Sequence, residues 1–357
     1  MESSDEIWKN ECSKFDKLSH IIPAVSRIIA IGDLHGDLNI TKKIFKHAKL
    51  IDDKYNWIAE PCDTIVVQVG DQLDSCRPTK TNKCGLEGKY NKNITGDLAI
   101  FKFLYYINKS AEKKGGKVIS LLGNHELMNV DGDFRFISRN DIEYLTKLDL
   151  IDEHDEYRFR TNISPEKALE LRKVLFKRGN IIAKFMACTR QSAIIIGSNL
   201  FVHAGILPKL AKKYSIQDIN TIIRKWLLNS INIDSNKRNI GSVKDILYNA
   251  ELSPFWVRLF GKIPKDMSLE DEYCYKYIKP VMELWNVNNF IIGHTPTFIN
   301  GEKLNSTCDD RLWRIDVGLS STFKKDSKFN NIQFLEIIND KIFNIYEIKD
   351  NTCKKIT

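Results

Sequence analysis

The sequence lacks several features that would place it outside the ordinary globular proteins. It contains no run of about 20 apolar residues, so we expect no membrane span. It has no internal repeat and no low-complexity linker, and its 357 residues include too little glycine (18) and proline (9) for a collagen-like or disordered chain. The first residues, MESSDEIWKN, are polar and acidic, so we expect no secretory leader and an intracellular, cytoplasmic location.

A CxxC pair is also absent, although the chain has eight cysteines. In a chain of this length, we interpret the cysteines as reduced thiols of an intracellular protein. Cys76 and Cys84 lie close in sequence, so a zinc or disulfide role is the alternative for this pair. The other cysteines are residues 12, 62, 188, 274, 308 and 353.

Strong charge of one sign is missing as well. The chain has 54 Lys and Arg against 46 Asp and Glu, a net charge of +8 that is spread along its length. This mild basic excess suits an anionic substrate, but it is too weak to predict nucleic-acid binding, and we expect no nucleic-acid partner.

Short β-branched apolar runs recur along the chain, and each ends abruptly in a polar cluster that contains glycine. Such runs predict buried strands. A later stretch, NIQFLEIINDKIFNIYEI, predicts a hairpin with Asn339 and Asp340 at its turn. The apolar runs lie within 27–37, 64–74, 117–126, 193–205, 289–296 and 312–318.

Helical spacing of apolar residues separates these strands. Residues 39–50 and 97–114 predict crossover helices, the first of them capped by Asp37. We predict an N-terminal extension over 1–26 and a single α/β domain over 27–357. Helical insertions are expected in this domain at about 131–190 and 206–285.

Polar side chains directly follow the predicted strands. Histidines 35, 125, 203 and 294 are placed this way, and the same loops carry Asp33, Asp71, Asp74 and Asn124. Loops at the carboxyl ends of strands are where α/β folds assemble their sites, so we expect these side chains to converge. Carboxylate, imidazole and amide donors suit Mn²⁺, Fe or Zn²⁺.

A series of five motifs identifies a family. In order and spacing, the series resembles the calcineurin-like metallophosphoesterases of the phosphoprotein phosphatase type. The GDLHGD form, SPFWVRLF (253–260) and IDVGLS (315–320) resemble the Shewanella-like phosphatases in particular. The resemblance implies a central β-sandwich flanked by helices, with helical insertions. The five motifs are GDLHGD (32–37), GDQLD (70–74), GNHE (123–126), HAG (203–205) and GHT (293–295).

The resemblance also implies two divalent cations, with Mn²⁺ favoured and Fe or Zn²⁺ as alternatives. It assigns protonation of the leaving group to His125, oriented by Asp74. From the residues alone, His125 is alternatively a metal ligand, and Asp74 a helix or turn cap. The implied ligands are Asp33, His35 and Asp71 for one cation, and Asp71, Asn124, His203 and His294 for the other.

Two arginines are the candidate phosphate ligands. Ser75 stands where the family has a phosphate-binding arginine, and Arg77, two residues later, is a substitute for it. Arg258 in SPFWVRLF matches the second arginine, whose planar fork can grip two phosphate oxygens.

We therefore predict a metal-dependent phosphatase of phosphorylated proteins, in which a metal-bridging hydroxide attacks phosphorus directly. Serine/threonine and tyrosine substrates are both open. One alternative is a nucleotide or diadenosine-polyphosphate hydrolase that uses the same dinuclear site. The other is a non-catalytic scaffold that binds phosphorylated partners.

Overall fold

The structure is a computed structural model that describes residues 4–92, 94–146, 149–150, 159–160, 163–231, 242–323 and 332–356. Most described strands belong to two sheets, which confirms the mixed α/β class. The strands are β1 (Ile21–Ile22), β2 (Arg27–Ile31), β3 (Ile65–Gln68), β4 (Lys117–Leu121), β5 (Asp149–Leu150), β6 (Phe159–Arg160), β7 (Arg190–Gln191), β8 (Ala193–Ile196), β9 (Asn199–Val202), β10 (Asn289–Ile292), β11 (Asn305–Thr307), β12 (Leu312–Arg314), β13 (Ile332–Ile338), β14 (Ile342–Lys349) and β15 (Thr352–Lys355).

Helices fill most of the chain between the strands. They are α1 (Ser4–Glu11), α2 (Leu38–His47), α3 (Leu98–Glu112), α4 (Asn124–Val130), α5 (Arg139–Thr146), α6 (Pro165–Phe176), α7 (Ile181–Thr189), α8 (Pro208–Ala211), α9 (Ile216–Leu227), α10 (Val243–Tyr248), α11 (Leu259–Lys262), α12 (Glu272–Tyr277) and α13 (Lys279–Trp285). Within the described residues, no helix is both long enough and apolar enough to cross a bilayer.

The two sheets pack face to face as a sandwich. Seven strands form one sheet in the order β15-β14-β13-β2-β3-β4-β7, and six form the other in the order β1-β8-β9-β10-β12-β11. Alternate residues of the second sheet bury against opposite layers, as the pleat of a strand requires. Phe201 and Ile291 join the core between the sheets, whereas their neighbours Leu200 and Ile292 join the core against the helices.

The sequence-predicted elements are mostly confirmed, with shifts at their ends. The predicted helices at 39–50 and 97–114 are α2 and α3, and the Asp37 side chain caps α2 by accepting the Ile40 amide. The hairpin is β13–β14, with Asn339 and Asp340 in left-handed conformation at its turn. The run at 193–205 forms two antiparallel strands, β8 and β9, because the chain reverses at Gly197 (φ 59°).

The predicted insertions contain α5 to α7 and α8 to α13 among the described residues. The parts of these insertions at 147–148, 151–158, 161–162 and 232–241 lie outside the described residues. The N-terminal extension packs on the domain, since β1 pairs with β8 and the Trp8 side chain is buried in the core.

Our interpretation of the cysteines as reduced thiols is wrong for six of the eight. Disulfides join Cys12 to Cys188, Cys76 to Cys84 and Cys274 to Cys308, and Cys62 and Cys353 are free. The partners in two pairs are 176 and 34 residues apart, so no local spacing in the sequence reveals them. The short pair, Cys76–Cys84, is the one for which a disulfide was the stated alternative.

Candidate active site

The candidate site lies where strands of both sheets end. In one sheet β2, β3 and β4 run parallel, and in the other β9, β10 and β12 run parallel, so their carboxyl ends present loops side by side. These loops and the first turn of α4 carry every predicted metal ligand as well as His125 and Asp74, and all of these side chains are buried. The residues are Asp33 and His35 after β2, Asp71 and Asp74 after β3, Asn124 and His125 after β4, His203 after β9 and His294 after β10.

The backbone at the site is held in unusual conformations. Four non-glycine residues here have φ in the left-handed region: His35 (40°), Asp71 (54°), Asp74 (70°) and His294 (66°). Each costs on the order of 1–3 kcal/mol and persists only where the surroundings fix it, and such residues cluster at functional sites. Gly123 leaves space for a close approach, since a Cβ there would collide with the side chain of Asp71.

Asp71 lies at the centre of two clusters. One of its oxygens, Oδ2, is 3.8 Å from Nε2 of His35 and 3.8 Å from Nε2 of His125. The other, Oδ1, is 3.4 Å from Nε2 of His203. Two groups of metal-compatible atoms result, each within 4.8 Å, namely His35, Asp71 and His125, and Asp71, His203 and His294.

The rings of His35, His203 and His294 present lone pairs to the centre. In each of these three rings one nitrogen faces a backbone carbonyl, which can only accept: His35 Nδ1 faces Leu73 O (3.1 Å), and His203 Nδ1 faces Val69 O (2.9 Å). A neutral ring must then carry its proton on that nitrogen and its lone pair on the other, an orientation typical of metal-binding histidines. His294 follows the same rule through Trp256 O (3.1 Å).

The lone pairs of His203 and His294 converge on a third acceptor. His203 Nε2 lies 3.0 Å from Asn124 Oδ1, and His294 Nδ1 lies 2.9 Å from the same oxygen. Three acceptor atoms at this spacing need a positive charge between them. The donor set therefore fits a divalent cation of the Mn²⁺, Fe or Zn²⁺ type.

The electrostatics point the same way. Burial raises the pKa of Asp33 well above its ordinary value, and the neighbouring Asp316 and Asp71 raise it further. Burial alone would also raise the pKa of Asp71, but the surrounding imidazoles hold it well below its ordinary value. Burial would lower the pKa of His203, yet Asp71 raises it above its ordinary value. Several carboxyl groups thus share one buried space, and a bound cation would favour the ionised form of each of them.

His125, a member of the first cluster, forms a buried pair with Asp74. The Nδ1 atom of His125 lies 2.6 Å from Asp74 Oδ2, which leaves Nε2 facing the centre. Asp74 is held in turn by Asn129, whose Nδ2 donates to Asp74 Oδ1 (2.8 Å) and to the His125 carbonyl (2.9 Å). An imidazole oriented by a carboxylate is the usual arrangement of a positioned general acid.

The structure places Arg77 at the rim of the site and buries the Ser75 side chain. The Arg77 guanidinium packs over the rings of Phe323 (4.7 Å) and Phe136 (5.5 Å), and its Nη1 donates to the Asp74 carbonyl (3.1 Å). Ser75 is buried and donates through Oγ to Asp141, whose pKa burial and the nearby Asp97 raise to about 7.

Arg258 lies near His294, at the end of β10. It is exposed, and its Nη1 donates to the His294 carbonyl (3.1 Å), so the rest of the guanidinium remains available. Both predicted phosphate ligands therefore border the clusters, from two different loops.

Sequence reasoning missed two buried carboxylates at the centre. Glu126 accepts the backbone amides of Asp71 (2.9 Å) and Gly123 (2.7 Å) and so ties the β3 and β4 loops together. Asp316 follows β12, has an oxygen with no hydrogen-bond partner, and has its pKa raised to about 6 by burial. The sequence offered one signal for Asp316, because this residue follows an apolar run, as the predicted ligands in the other loops do.

Comparisons with known proteins agree with this arrangement. The sequence profile of the calcineurin-like phosphoesterase family matches residues 26–298. The uncharacterised protein R398 of Acanthamoeba polyphaga mimivirus is 34% identical over 264 residues, which is 70% of this chain and 99% of that protein. Shewanella-like protein phosphatase 2 of Arabidopsis thaliana is 29% identical over 315 residues, or 82% of this chain and 71% of that protein.

Solved structures show the same fold. The crystal structure of a cold-active protein-tyrosine phosphatase from a psychrophilic Shewanella species aligns with a TM-score of 0.62 and covers 95% of this chain and 83% of its own. The sequences are 18% identical, so this likeness concerns the fold alone. Together with the relatives, it confirms the resemblance that the five motifs indicated and the predicted β-sandwich.

Proposed function

The chain belongs to the calcineurin-like phosphoesterase family, and we propose that it is a metal-dependent phosphatase that hydrolyses phosphate monoesters on proteins. One observation carries the proposal most directly. Asp71 is shared by two clusters of buried imidazoles, and the His125–Asp74 pair stands within 3.8 Å of the same carboxylate. A scaffold that only binds phosphate has no use for such an acid.

The proposed ligand sets are those expected from the motifs. Asp33, His35 and Asp71 would hold one cation, and Asp71, Asn124, His203 and His294 the other. When bound, the two cations would make a water acidic enough to attack phosphorus and would neutralise charge on the phosphate. Mn²⁺ is the ion we favour, with Fe and Zn²⁺ as alternatives.

The protein's own groups complete the reaction. Arg77 and Arg258 would bind phosphate oxygens from two sides and hold the ester in line for attack. As the bond from phosphorus to the ester oxygen breaks, His125 would give its Nε2 proton to that oxygen, so that the product leaves as a neutral alcohol or phenol. Asp74 would keep the imidazole oriented and stabilise its positive charge.

A substrate panel tests the proposal. Protein that has been stripped by chelation and reloaded with Mn²⁺ is assayed on phosphoserine, phosphothreonine and phosphotyrosine peptides, p-nitrophenyl phosphate and diadenosine tetraphosphate. We expect the phosphopeptides to give the highest kcat/KM. A preference for the dinucleotide would favour the alternative hydrolase, and turnover that survives in Asp71→Asn would indicate a contaminating phosphatase.

The location of the protein is a separate proposal. The sequence led us to expect the cytoplasm, whereas the three disulfides are typical of oxidising compartments. Alkylation of thiols at the moment of lysis decides between the two. Two modified cysteines per chain indicate an oxidising compartment, and eight indicate a reducing cytoplasm.

A further inference from the structure

A buried arginine in the first insertion reaches the His125–Asp74 pair. Arg172 lies on α6, is fully buried, and packs its guanidinium over the ring of Phe176 (4.6 Å). Its terminal nitrogens form a double contact with Asp97, Nη1 with Oδ1 (3.0 Å) and Nη2 with Oδ2 (2.6 Å). The fixed fork of an arginine is suited to such a contact, which a lysine cannot reproduce.

The same guanidinium determines which way Asn129 points. Its Nε and Nη2 atoms donate to Asn129 Oδ1 at 2.9 and 2.7 Å. Because Oδ1 is occupied by two donors, the amide nitrogen must face the other way, toward Asp74 Oδ1 (2.8 Å) and the His125 carbonyl (2.9 Å). Reversal of this amide would set its oxygen against the Asp74 carboxylate, and two acceptors repel each other.

A second connection runs through Asp97. Its Oδ2 atom accepts the backbone amide of Asp74 (3.1 Å) while it is held by Arg172. Asp74 has a left-handed backbone (φ 70°), a conformation that needs support from its surroundings. Arg172 therefore supports Asp74 at both its side chain and its backbone.

We infer that Arg172 is a positioning residue that, through Asn129 and Asp97, sets the orientation of the Asp74–His125 pair for proton transfer to the leaving group. The inference rests on the proposed function, because it assumes that His125 is the acid. It assigns Arg172 a part in catalysis although Arg172 touches no reacting atom. A purely structural role would not require this chain of donors, since apolar residues commonly replace buried ion pairs without loss of stability.

The test compares two substrates that differ in their need for an acid. The leaving group of phenyl phosphate is a basic phenolate, which needs a proton as the bond breaks. The leaving group of 2,4-dinitrophenyl phosphate is stable as an anion and needs no proton. A general acid contributes about 10²- to 10⁴-fold, so His125→Asn should lower kcat/KM about 100-fold more for phenyl phosphate than for the dinitrophenyl ester. We expect Arg172→Lys and Asn129→Ala to change this ratio in the same direction, by about tenfold or more.

Arg224→Lys is the matched control. Arg224 is also buried, and it donates to the Ala187 carbonyl (3.0 Å) and packs over Trp8, far along the chain from the pair. This variant should lose thermal stability and keep the wild-type ratio. An unchanged ratio in both Arg172→Lys and Asn129→Ala, alongside a changed ratio in His125→Asn, overturns the inference and leaves the proposed function standing.

Two further outcomes are also decisive. If Arg172→Lys does not fold, the ratio measured for Asn129→Ala alone decides the inference. Asn129 lies on α4 and links Arg172 to Asp74, so its replacement breaks the same chain of contacts. If His125→Asn itself leaves the ratio unchanged, His125 is not the acid, and both this inference and that part of the proposed function are wrong.

Discussion

At the scale of single residues, Asp71 does most to hold the site together. Its carbonyl accepts the amides of Leu34 (3.0 Å) and His35 (2.9 Å), and its Oδ1 accepts the amide of His125 (3.0 Å). One residue thus joins the loops after β2, β3 and β4 while its carboxylate faces both clusters. Replacement of this residue should affect both metal positions at once.

We predict that Asp71→Asn loses both cations, whereas Asp33→Asn loses chiefly one. The reason is that Asp71 belongs to both clusters, while Asp33 belongs to neither and is proposed as a ligand of a single cation. Elemental analysis of the purified variants measures metal per chain, and Asp52→Asn, at a site on an exposed turn, serves as the control. Equal loss of one metal in the two variants would show that Asp71 does not bridge.

The two rim arginines should each contribute to turnover without holding metal. Removal of a charge-assisted contact made in the transition state costs about 2–4 kcal/mol, or roughly 30- to 1000-fold in kcat/KM. We expect Arg77→Ala and Arg258→Ala to fall in this range with full metal content. Arg135→Ala should be close to wild type, because that guanidinium is exposed and pairs with Asp133. If Arg258→Ala has the kcat/KM of the wild type, the SPFWVRLF segment is not part of the site.

At the scale of elements, the loop from Cys76 to Cys84 explains how a departure from the family pattern is accommodated. Ser75 points into the protein toward Asp141, and Arg77, the proposed substitute for the family arginine, lies two positions further along, where Phe136 and Phe323 flank it. The Cys76–Cys84 disulfide closes the loop directly beside Arg77. The closed loop restricts the positions that Arg77 can reach, and this restriction is expected to help catalysis.

We predict that the double variant Cys76→Ser/Cys84→Ser lowers both Tm and kcat/KM. Without the disulfide, the short loop and Arg77 sample more conformations. This freedom must then be lost when Arg77 binds the phosphate in the transition state, which raises the barrier. The matched control is Cys274→Ser/Cys308→Ser, which opens the cystine between α12 and the end of β11. The control should lower Tm and leave kcat/KM unchanged. Equal kcat/KM in wild type and the first variant would mean that the disulfide does not position Arg77.

Some strands could be predicted from the sequence and others could not. Strands β2, β3, β4, β9 and β10 were predicted because each is an apolar run that ends at a motif. Strands β1, β7 and β15 carry no such pattern and form because neighbouring strands pair with them. The long-range disulfides were missed for a related reason, since only the fold brings Cys12 to Cys188.

At the scale of the whole molecule, the site forms because the two sheets pack against each other as a sandwich. Its side chains come from positions as distant as Asp33 and Asp316, and they meet because strands of both sheets end at one edge. The motif series made this convergence predictable, since each motif follows a strand. The residues that support the site were not predictable. Asp97 at the N-terminus of α3, Asn129 on α4 and Arg172 on α6 are far apart in sequence and resemble ordinary surface residues there.

The measurement that tests the account most directly is turnover as a function of bound metal. Protein is stripped by exhaustive chelation, its metal content is confirmed by elemental analysis, and kcat/KM for a phosphopeptide is followed as Mn²⁺ is returned. The account predicts no activity in the metal-free protein, a lower Tm because the buried carboxylates have lost their counter-charge, and recovery that saturates at two ions per chain. Full activity with metal content near zero would contradict it.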